Sequence, residues 1–516
     1  MNSLKALLPY FKNYKARIAI GCICILISNF ALVMVPELIS RVIQEIKEGG
    51  LSRPAYQHFL WIVCAALVSA IFRFFIRQSL IVMSRLQEYE LRCDLWEHIQ
   101  CLPQEFFAKR ATGDIMAHLS NDVDAVRMAL GPVFMYSIDN ICRFVFIIYL
   151  LLQKNVGLAV LVLLPLPLMS WLVQLIGKRV HTRFSKLQEA FSDLTTQAQQ
   201  NFAGIRVIKS YVREDYEFEQ FKIKSEDYMQ KQLDLVKVEA IYRPLFYLIP
   251  GVSLIILIWY GGFLVTTNVI NIGELSAFFI CLGMLTWPMV ALGWIINIAQ
   301  RAAASMQRLN ELFACAKEQD NENAVSVENL KGPIEFENIS FAYGEDEPTV
   351  IKNISLKIKP GQTIAFVGRT GAGKSTLVNL IPRLYNLKTG SIKICGHDIN
   401  DLTLKSLRKH VAVIPQEAFL FSKTIKENLR FGFPDASDEA IIHASEIAQL
   451  HKDIEEFPDK YETIVGERGI TLSGGQKQRC SIARAILTNP DILILDDSFS
   501  AVDTATEEDI IQGLKK

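Results

Sequence analysis

The sequence predicts a multi-domain protein in which a six-helix, all-α membrane domain is followed by an α/β domain. Two observations support this fold class. Six long apolar stretches lie between residues 18 and 297, and each is long enough to cross a hydrocarbon core of about 30 Å. Beyond residue 333, short β-branched segments predicted as strands alternate with helical ones, which is typical of an α/β fold. The five predicted strands are 334–336, 364–367, 392–394, 411–414 and 492–495. We therefore expect a membrane domain over 1–315, a polar linker over 316–333 and the α/β domain over 334–516.

The apolar stretches also indicate contact with a lipid bilayer. One such stretch alone could be a buried helix of a soluble protein, but six in series make that interpretation remote. Half of the residues are hydrophobic and only 21% are charged, as expected for a chain with much of its surface in lipid. The predicted spans are 18–40, 57–82, 129–153, 156–176, 243–268 and 273–297.

Basic residues predict the orientation of the spans, because Lys and Arg favour the cytoplasmic side. Lys12, Lys15 and Arg17 precede the first span, and the connection between spans four and five is rich in Lys and Arg. The turn at 269–272 carries no basic residue. We therefore expect a multi-pass protein of the cell membrane, with both termini and the α/β domain in the cytoplasm. The first apolar run is interpreted as a retained span rather than a cleaved signal peptide.

Two connections on the predicted cytoplasmic side, 83–128 and 177–242, are too long for turns. Unstructured connections of this length are uncommon. We expect helices that extend the spans, with short crosswise helices near 104–120 and 204–213. Solvated loops are the alternative interpretation.

The charge balance argues against a nucleic-acid partner. The sequence has 54 basic and 54 acidic residues, so it creates no global field that would attract nucleic acid. Its ten cysteines include several in apolar runs and form no paired CxxC elements. We expect them to be small apolar residues rather than zinc ligands or redox pairs.

A glycine-rich loop gives the first chemical signal in the α/β domain. It follows a predicted strand over 363–367 and precedes apolar residues at helical spacing. In this pattern glycine amides surround phosphates, Lys374 reaches the β- and γ-phosphates of a nucleotide, and Ser375 binds Mg²⁺. The residues expected to contact ATP are Gly368, Arg369, Thr370, Gly371, Ala372, Gly373, Lys374, Ser375 and Thr376.

Two carboxylates follow the apolar segment Ile492–Leu495. Beside a phosphate loop, Asp496 would hold Mg²⁺ through its water shell, and Asp497 would orient or deprotonate the attacking water. Two acids after a strand are common, so this signal is weak alone. Together with the phosphate loop it becomes strong.

A serine, two glycines and a glutamine precede an amphipathic helix-like run. The plain interpretation is an N-cap serine, but such a serine and the glycine amides also form an anion site. Two phosphate sites in one chain suggest a nucleotide held between two copies of the domain. The residues concerned are Ser473, Gly474, Gly475 and Gln476.

Residues 334–503 resemble the nucleotide-binding domain of ATP-binding-cassette (ABC) transporters. With the six spans, nearly the whole chain is similar to a half-transporter of the bacterial multidrug or lipid exporter type. The resemblance implies that Tyr343 stacks on adenine, although an ordinary strand aromatic is the alternative. It implies that Gln416 contacts Mg²⁺ or the attacking water. It also implies that Glu467 touches a coupling helix and that Ser500–Asp503 lies across a dimer interface.

The resemblance further implies a function: ATP-driven export of hydrophobic or amphipathic drugs, lipids or peptides, with ATP and Mg²⁺ bound between two half-transporters. A cassette-gated channel or regulatory subunit is the alternative, but such proteins usually carry large regulatory insertions, which this sequence lacks. Soluble cassette ATPases that act on DNA do not carry six spans.

Two departures from the family pattern concern the reaction. The position after Asp496 is usually glutamate in members that hydrolyse ATP well, and here it is Asp497. The family also places a switch histidine beyond Asp503, yet the last histidine is His451, so we expect the sequence to stop short of the domain's end. The combination of the shorter acid Asp497 with an intact Ser473 motif resembles one half of heterodimeric exporters, which pair one degenerate and one competent ATP site. A homodimer with two slow sites is the alternative.

Four ionisable residues inside the predicted spans are candidates for the substrate path. Arg73 and Arg77 are four residues apart on span two, and Asp139 and Arg143 on span three. Such groups usually face a cavity or each other. Structural pairing, or extension of the arginines toward the membrane interface, is the alternative.

Overall fold

The computed structural model describes residues 7–49, 53–344, 347–466 and 472–515 and divides into two compact units. The first unit contains the chain up to Glu97 and from Gly113 to Ala314. The second contains His98–Thr112 and the chain from Cys315 onward. An all-α unit and an α/β unit are present, as the sequence predicts.

Helices account for nearly all of the first unit, since apolar runs in lipid must satisfy every backbone polar group internally. One short helix in this part of the sequence, α5, belongs to the second unit. The helices are α1 (Leu8–Lys12), α2 (Lys15–Gly49), α3 (Arg53–Ile76), α4 (Val82–Gln100), α5 (Gln104–Lys109), α6 (Thr112–Ala117), α7 (Val123–Met128), α8 (Phe134–Lys154), α9 (Val156–Leu163), α10 (Pro165–Ala203), α11 (Ile205–Ser210), α12 (Glu214–Ile256), α13 (Gly262–Thr266) and α14 (Ile272–Phe313).

Five helices in the described part of the chain are long and apolar enough to cross a membrane. They coincide with five of the six predicted spans. The predicted span 156–176 falls on α9 and the start of α10, where the described apolar helix, Val156–Leu168, is shorter than a full crossing. Three of them are continuous because π-helical turns join the α-helices named above, at Arg77–Ile81, His118–Asp122, Ala129–Val133 and Leu257–Gly261. The five helices are Lys15–Glu48, Arg53–Gln100, Thr112–Lys154, Leu248–Thr266 and Ile272–Phe313.

The two long connections of the sequence are helical rather than loop-like. Over 177–242 the helix α10 continues to Ala203, the short α11 follows, and α12 begins at Glu214. Val212, between α11 and α12, has a left-handed φ of 49°, which interrupts the helix because such a φ does not fit a right-handed helix. The short α5 separates α4 from α6, and the residues on either side of α5, Pro103 and Arg110, have extended backbone.

An ion pair between the half-exposed Arg308 and the buried Asp122 joins α14 to the segment between α6 and α7. The Arg308 Nε donates to an Asp122 carboxylate oxygen at 3.0 Å, and His118 Nδ1 lies 2.7 Å from the same carboxylate. The Asp122 side chain is only 9% exposed. A buried carboxylate is tolerated because charged and polar partners surround it.

Over its described residues the second unit contains two sheets. In the antiparallel sheet the order is β2-β1-β3-β4, and in the smaller sheet β5 pairs with β6 in parallel. Its strands are β1 (Ile334–Phe341), β2 (Ile351–Ile358), β3 (Thr389–Ile394), β4 (His397–Asp398), β5 (Val411–Ile414) and β6 (Ile492–Leu495). Its further helices are α15 (Lys374–Leu380), α16 (Leu404–His410), α17 (Ile425–Arg430), α18 (Asp438–Ile447), α19 (His451–Glu456), α20 (Gly474–Leu487) and α21 (Thr504–Lys515).

Four of the five predicted strands are present, and the one at 364–367 is wrong. That segment is irregular and lies on neither sheet. Val367 is 93% exposed. β-branched residues give a segment strand propensity, but a strand also needs a neighbour to accept its backbone hydrogen bonds. β5 pairs directly with β6, and neither pairs with this segment.

The predicted linker 316–333 is bound along the second unit. Arg408 NH1 donates to the Glu318 carboxylate at 3.0 Å, and Ser406 Oγ donates to the Val327 carbonyl at 3.0 Å. The Leu330 N–H donates to Asp491 Oδ2 at 2.7 Å. These bonds extend the second unit to the residues just after α14.

The ten cysteines are all free. Cys480, in α20, is completely buried. Burial raises the pKa of its thiol to about 12, so Cys480 acts as a small apolar residue of the core rather than a reactive thiol.

The start of α14 packs closely against α2. A Cβ on Gly273 would lie 2.0 Å from the Ser40 carbonyl oxygen, which is backbone and cannot move aside. The same helix contains Gly283, where a Cβ would meet nothing within 4 Å. Gly273 and Gly283 therefore provide a crowded test position and an open control position on one helix.

Gly273→Ala should lower the thermal midpoint of the purified transporter, since overpacking typically costs about 1–3 kcal/mol. Gly283→Ala is the control and should be neutral or stabilising by up to about 1 kcal/mol, because alanine favours the helix. Thermal unfolding in detergent measures both variants. Equal midpoints would contradict the close approach of α14 to Ser40.

Candidate functional site

The glycine-rich loop of the second unit has a backbone that only glycine adopts easily. Gly371 and Gly373 have φ angles of 82° and 85°, in the left-handed region that L side chains disfavour. The Ala372 N–H donates to the Arg369 carbonyl at 3.1 Å, which closes a tight turn. Gly373 then accepts the first helical bond of α15, from the Leu377 N–H at 2.9 Å.

The Lys374 ammonium group folds back over this loop. Its Nζ donates to the carbonyl of Gly368 at 2.9 Å and to that of Arg369 at 3.1 Å. Its hydrogen-bond partners among the described residues are these two neutral carbonyls. A phosphate group at the loop would give the ammonium a charged acceptor, and hydrogen bonds to charged groups are the stronger kind.

Ser375 joins the loop to the end of β6. Its Oγ donates to Asp496 Oδ1 at 2.8 Å. The Asp496 N–H in turn donates to the carbonyl of Ile414, at the end of β5, at 3.0 Å. The carboxylate is therefore fixed relative to both strands and to the loop.

Gln416 and Asp497 meet at the same edge. Gln416 Nε2 donates to Asp497 Oδ2 at 3.0 Å. The strands β5 and β6 are parallel with Ile414 opposite Leu495, so residues two positions beyond each strand come together. Asp497 has a left-handed φ of 51°, a conformation that is unusual for a residue other than glycine and is often found at functional sites.

Tyr343 lies next to the helix that follows the loop. Its hydroxyl is 2.8 Å from Thr376 Oγ1, and its ring makes edge-to-face contacts with Phe341 and Tyr385, each with ring centroids 5.1 Å apart. Burial raises the pKa of Tyr385. Tyr385 was not predicted, because its place beside Tyr343 follows from the packing of the loop helix and not from a motif.

The serine-glycine-glycine-glutamine motif caps α20. The Gln476 N–H donates to Ser473 Oγ at 3.3 Å, and the Ser473 N–H donates to Gln476 Oε1 at 3.0 Å, which forms a reciprocal capping box. The N-cap interpretation is therefore correct. It does not exclude an anion site, since the hydroxyl oxygen acts as acceptor in the cap and its proton stays available.

The segment Ser500–Asp503 packs on the same helix. Gln478 Nε2 donates to Ser500 Oγ at 2.9 Å, and the Ala501 N–H donates to Gln478 Oε1 at 2.9 Å. A Cβ on Gly475 would lie 2.7 Å from the Ala501 carbonyl oxygen, so this position requires glycine. The Thr506 N–H donates to Asp503 and lowers the pKa of that carboxyl.

The structure separates the predicted residues into two groups. Tyr343, Lys374 to Thr376, Gln416, Asp496 and Asp497 are connected around one loop. Within the described ranges, the hydrogen bonds of the Ser473 and Gln476 side chains lead to each other and to Asp453, and none leads to the phosphate loop. Glu467 lies outside the described residues.

The first unit contains a cavity of about 470 Å³. All four ionisable residues predicted for a substrate path line it. The lining residues are Arg73, Phe74, Ile76, Arg77, Met135, Tyr136, Asp139, Arg143 and Trp287.

The charged residues that line this cavity differ in whether they have hydrogen-bond partners. Arg143 NH2 donates to Asp139 Oδ2 at 2.8 Å, and the buried Asn29, which the sequence analysis missed, donates to Asp139 Oδ1 at 2.7 Å. Asp139 and Arg143 are therefore a structural pair as well as cavity residues. Arg73 and Arg77 make no hydrogen bond or ion pair with any residue that the structure describes.

Comparison with known proteins agrees with both units. Residues 18–289 match the family model described as "ABC transporter transmembrane region". Residues 351–500 match the model described as "ABC transporter". The first match alone covers more than half of the chain.

Three relatives are similar to the chain over nearly all of its length. The "Probable multidrug resistance ABC transporter ATP-binding/permease protein YheI" of Bacillus subtilis is 36% identical over 99% of this chain and 88% of that protein. The "Multidrug resistance-like ATP-binding protein MdlA" of Escherichia coli is 33% identical over 99% of this chain and 87% of its own length. The "ATP-dependent lipid A-core flippase" of Syntrophus aciditrophicus is 31% identical over 100% of this chain and 86% of that protein.

The loop geometry, the apolar helices and these similarities agree with one another. The chain belongs to the ABC transporter family, as a membrane-embedded, ATPase-coupled half-transporter of the bacterial exporter type.

Proposed function

We propose that this half-transporter binds ATP and Mg²⁺ between its own phosphate loop and the Ser473 motif of a second half-transporter. Hydrolysis of that ATP drives the export of hydrophobic or amphipathic compounds. The separation of the phosphate loop from the Ser473 motif is the main support for this function. The loop residues are gathered in one place, and among the residues that the structure describes the hydrogen bonds of the Ser473 motif do not reach them. A second chain would supply the Ser473 motif that completes the nucleotide site.

The residues around the loop fit the chemistry of ATP. The loop amides and Lys374 neutralise phosphate charge, and Tyr343 offers an aromatic ring for adenine. Ser375, Asp496 and Gln416 supply hard oxygen donors of the kind that Mg²⁺ prefers. Gln416 fits because its amide nitrogen bonds Asp497, so its amide oxygen faces elsewhere. Bound Mg²⁺ would neutralise charge that develops on the phosphates.

Asp497 is placed to act on water. Its side chain follows β6, one residue beyond the carboxylate that binds Ser375, and Gln416 holds it from the end of β5. A carboxylate in this place orients or deprotonates the water that attacks the terminal phosphate.

The short helices α5 and α11 are the proposed coupling helices. Both interrupt long helical stretches, and α5 is grouped with the nucleotide-binding unit although it lies between helices of the first unit in sequence. Movement of the cassette would therefore be transmitted to α4 and α6. This role supports a cytoplasmic location for both termini and the cassette, in agreement with the basic residues near Arg17.

The cavity in the first unit is the proposed substrate site. Its lining combines aromatic and aliphatic side chains with arginines, which suits molecules that have both apolar and polar parts. The names of the relatives include multidrug resistance proteins and a lipid flippase. Amphipathic drugs or lipids are therefore the proposed substrate class.

A heterodimer is the proposed assembly. Asp497 is one methylene shorter than glutamate, so its carboxylate lies farther from the attacking water, while the Ser473 motif is intact. The chain would then hold ATP at its own loop and hydrolyse it slowly, and would complete a faster site on a partner that supplies glutamate.

Lys374→Ala should weaken ATP binding, because it removes charge-assisted hydrogen bonds worth about 1.5–3 kcal/mol each. Lys359→Ala, at an exposed lysine outside the loop, is the control and should bind ATP normally. Equilibrium binding of a fluorescent ATP analogue to the purified transporter measures both. Unchanged affinity in Lys374→Ala would remove the phosphate-loop assignment.

Asp497→Glu should raise hydrolysis at the chain's own site by up to about 10²-fold, since small misplacements of a catalytic group cost rate on that scale. Asp509→Glu, an equivalent exchange at an exposed position of α21, should leave the rate unchanged. Single-turnover ATPase of the full transporter gives both rates. A homodimer of the unaltered chain that hydrolyses ATP rapidly without a partner would contradict the heterodimer.

A photoreactive side chain at Arg77 should capture a compound that stimulates the ATPase, because this position lines the cavity. The same label at Trp61, which is 63% exposed on the same helix and outside the cavity, should not. Mass spectrometry of the labelled peptides identifies the position that is crosslinked to the compound. If positions 73, 77, 139 and 143 all fail to capture a compound that the protein transports, the cavity is not the substrate site.

A further inference from the structure

We infer that Asp453 is a positioning residue for Ser473, the serine that contacts the phosphate of ATP bound to the second chain. This inference rests on the proposed function, in which the Ser473 motif completes the partner's nucleotide site. Asp453 lies on α19, outside the motifs of the sequence. It belongs neither to the phosphate loop nor to the Ser473 motif.

The Asp453 carboxylate binds two residues of the α20 end that carries Ser473. Its Oδ2 accepts a hydrogen bond from Gln476 Nε2 at 2.9 Å and another from Arg479 NH2 at 2.6 Å. The side chains of Asp453 and Arg479 are only 26% and 15% exposed. The ion pair is thus partly shielded from water, where charge-assisted hydrogen bonds keep more of their strength.

The contact determines which way the Gln476 amide faces. An ionised carboxylate only accepts hydrogen bonds, so it requires the NH₂ end of the amide. The amide oxygen then faces the Ser473 N–H, from which it accepts at 3.0 Å. With the amide reversed, an oxygen would face the carboxylate and an NH₂ would face the Ser473 N–H, and both contacts would be repulsive. Asp453, which is not itself part of the capping box, therefore holds the Gln476 amide in the orientation that the box requires.

The closed box leaves the Ser473 hydroxyl ready to donate. Its oxygen accepts from the Gln476 N–H at 3.3 Å. Within the described part of the chain no acceptor binds the hydroxyl proton. A hydroxyl held in this way donates its proton outward, as contact with a phosphate oxygen requires. Asp453 thus acts on the nucleotide through Gln476 and Ser473.

The packing of α19 on α20 does not depend on the carboxylate. Ile454, next to Asp453, is completely buried in a core that also contains Cys480 and Ile482. Arg479 has a second acceptor, the Gln449 carbonyl. Removal of the carboxylate should therefore leave the packing of α19 on α20 in place, while it frees the Gln476 amide and takes from Arg479 one of its two acceptors.

The test is a double-mutant cycle in the full transporter. Asp453→Ala should lower kcat for ATP hydrolysis about tenfold or more, given the sensitivity of rates to small misplacements, with KM for ATP and thermal midpoint little changed. In the Ser473→Ala background the same change should have almost no further effect, because coupled residues are not additive. Asp453→Asn, which keeps the volume but allows the amide to reverse, should also slow hydrolysis.

Glu456→Ala is the matched control, an exposed acid on the same helix, and should not change kcat. If Ser473→Ala leaves hydrolysis unchanged, the shared site fails, and the role of Asp453 fails with it. If Ser473→Ala slows hydrolysis but Asp453→Ala does not, only the inference about Asp453 is overturned. Losses that multiply in the double variant, or that follow a lowered thermal midpoint, would overturn it as well.

Discussion

The parallel pairing of β5 with β6 sets the geometry of the proposed nucleotide site. With Ile414 opposite Leu495, the residues after both strands lie at one edge of the sheet. Asp496 then meets Ser375 at 2.8 Å, and Asp497 meets Gln416 at 3.0 Å. A shift of one residue in this register would separate the acids from the loop. The site is therefore a property of strand register as much as of the motifs themselves.

The two proposed anion sites of the chain differ in which contacts stabilise them. The phosphate loop is fixed by its glycine backbone and by the strands beneath it. The Ser473 motif is fixed by neighbours on its own side, with Asp453 binding Gln476 and with Ala501 packed on Gly475. In the proposed function each half supports phosphate, and the two halves together make one nucleotide site. Hydrolysis would then depend on contact between two half-transporters.

The sequence predicted those features that depend on local pattern. Local pattern was enough to predict the apolar runs, the loop glycines and the ends of β5 and β6, because each follows from composition or short spacing. The strand at 364–367 was predicted wrongly, since a strand also needs a partner that local propensity does not reveal. Asn29, Tyr385 and Asp453 were missed for a related reason: each acts through a contact with a residue that is distant in sequence or belongs to another helix.

Movement of a compound against its gradient distinguishes ATP-driven export from passive flux. The full transporter would be placed in sealed vesicles with a fluorescent amphipathic compound on both sides. Addition of ATP and Mg²⁺ should accumulate the compound above its equilibrium level on one side, and Lys374→Ala should abolish the accumulation. Flux that only dissipates an imposed gradient, at the same rate in the unaltered protein and in Lys374→Ala, would contradict the exporter and favour a passive pore.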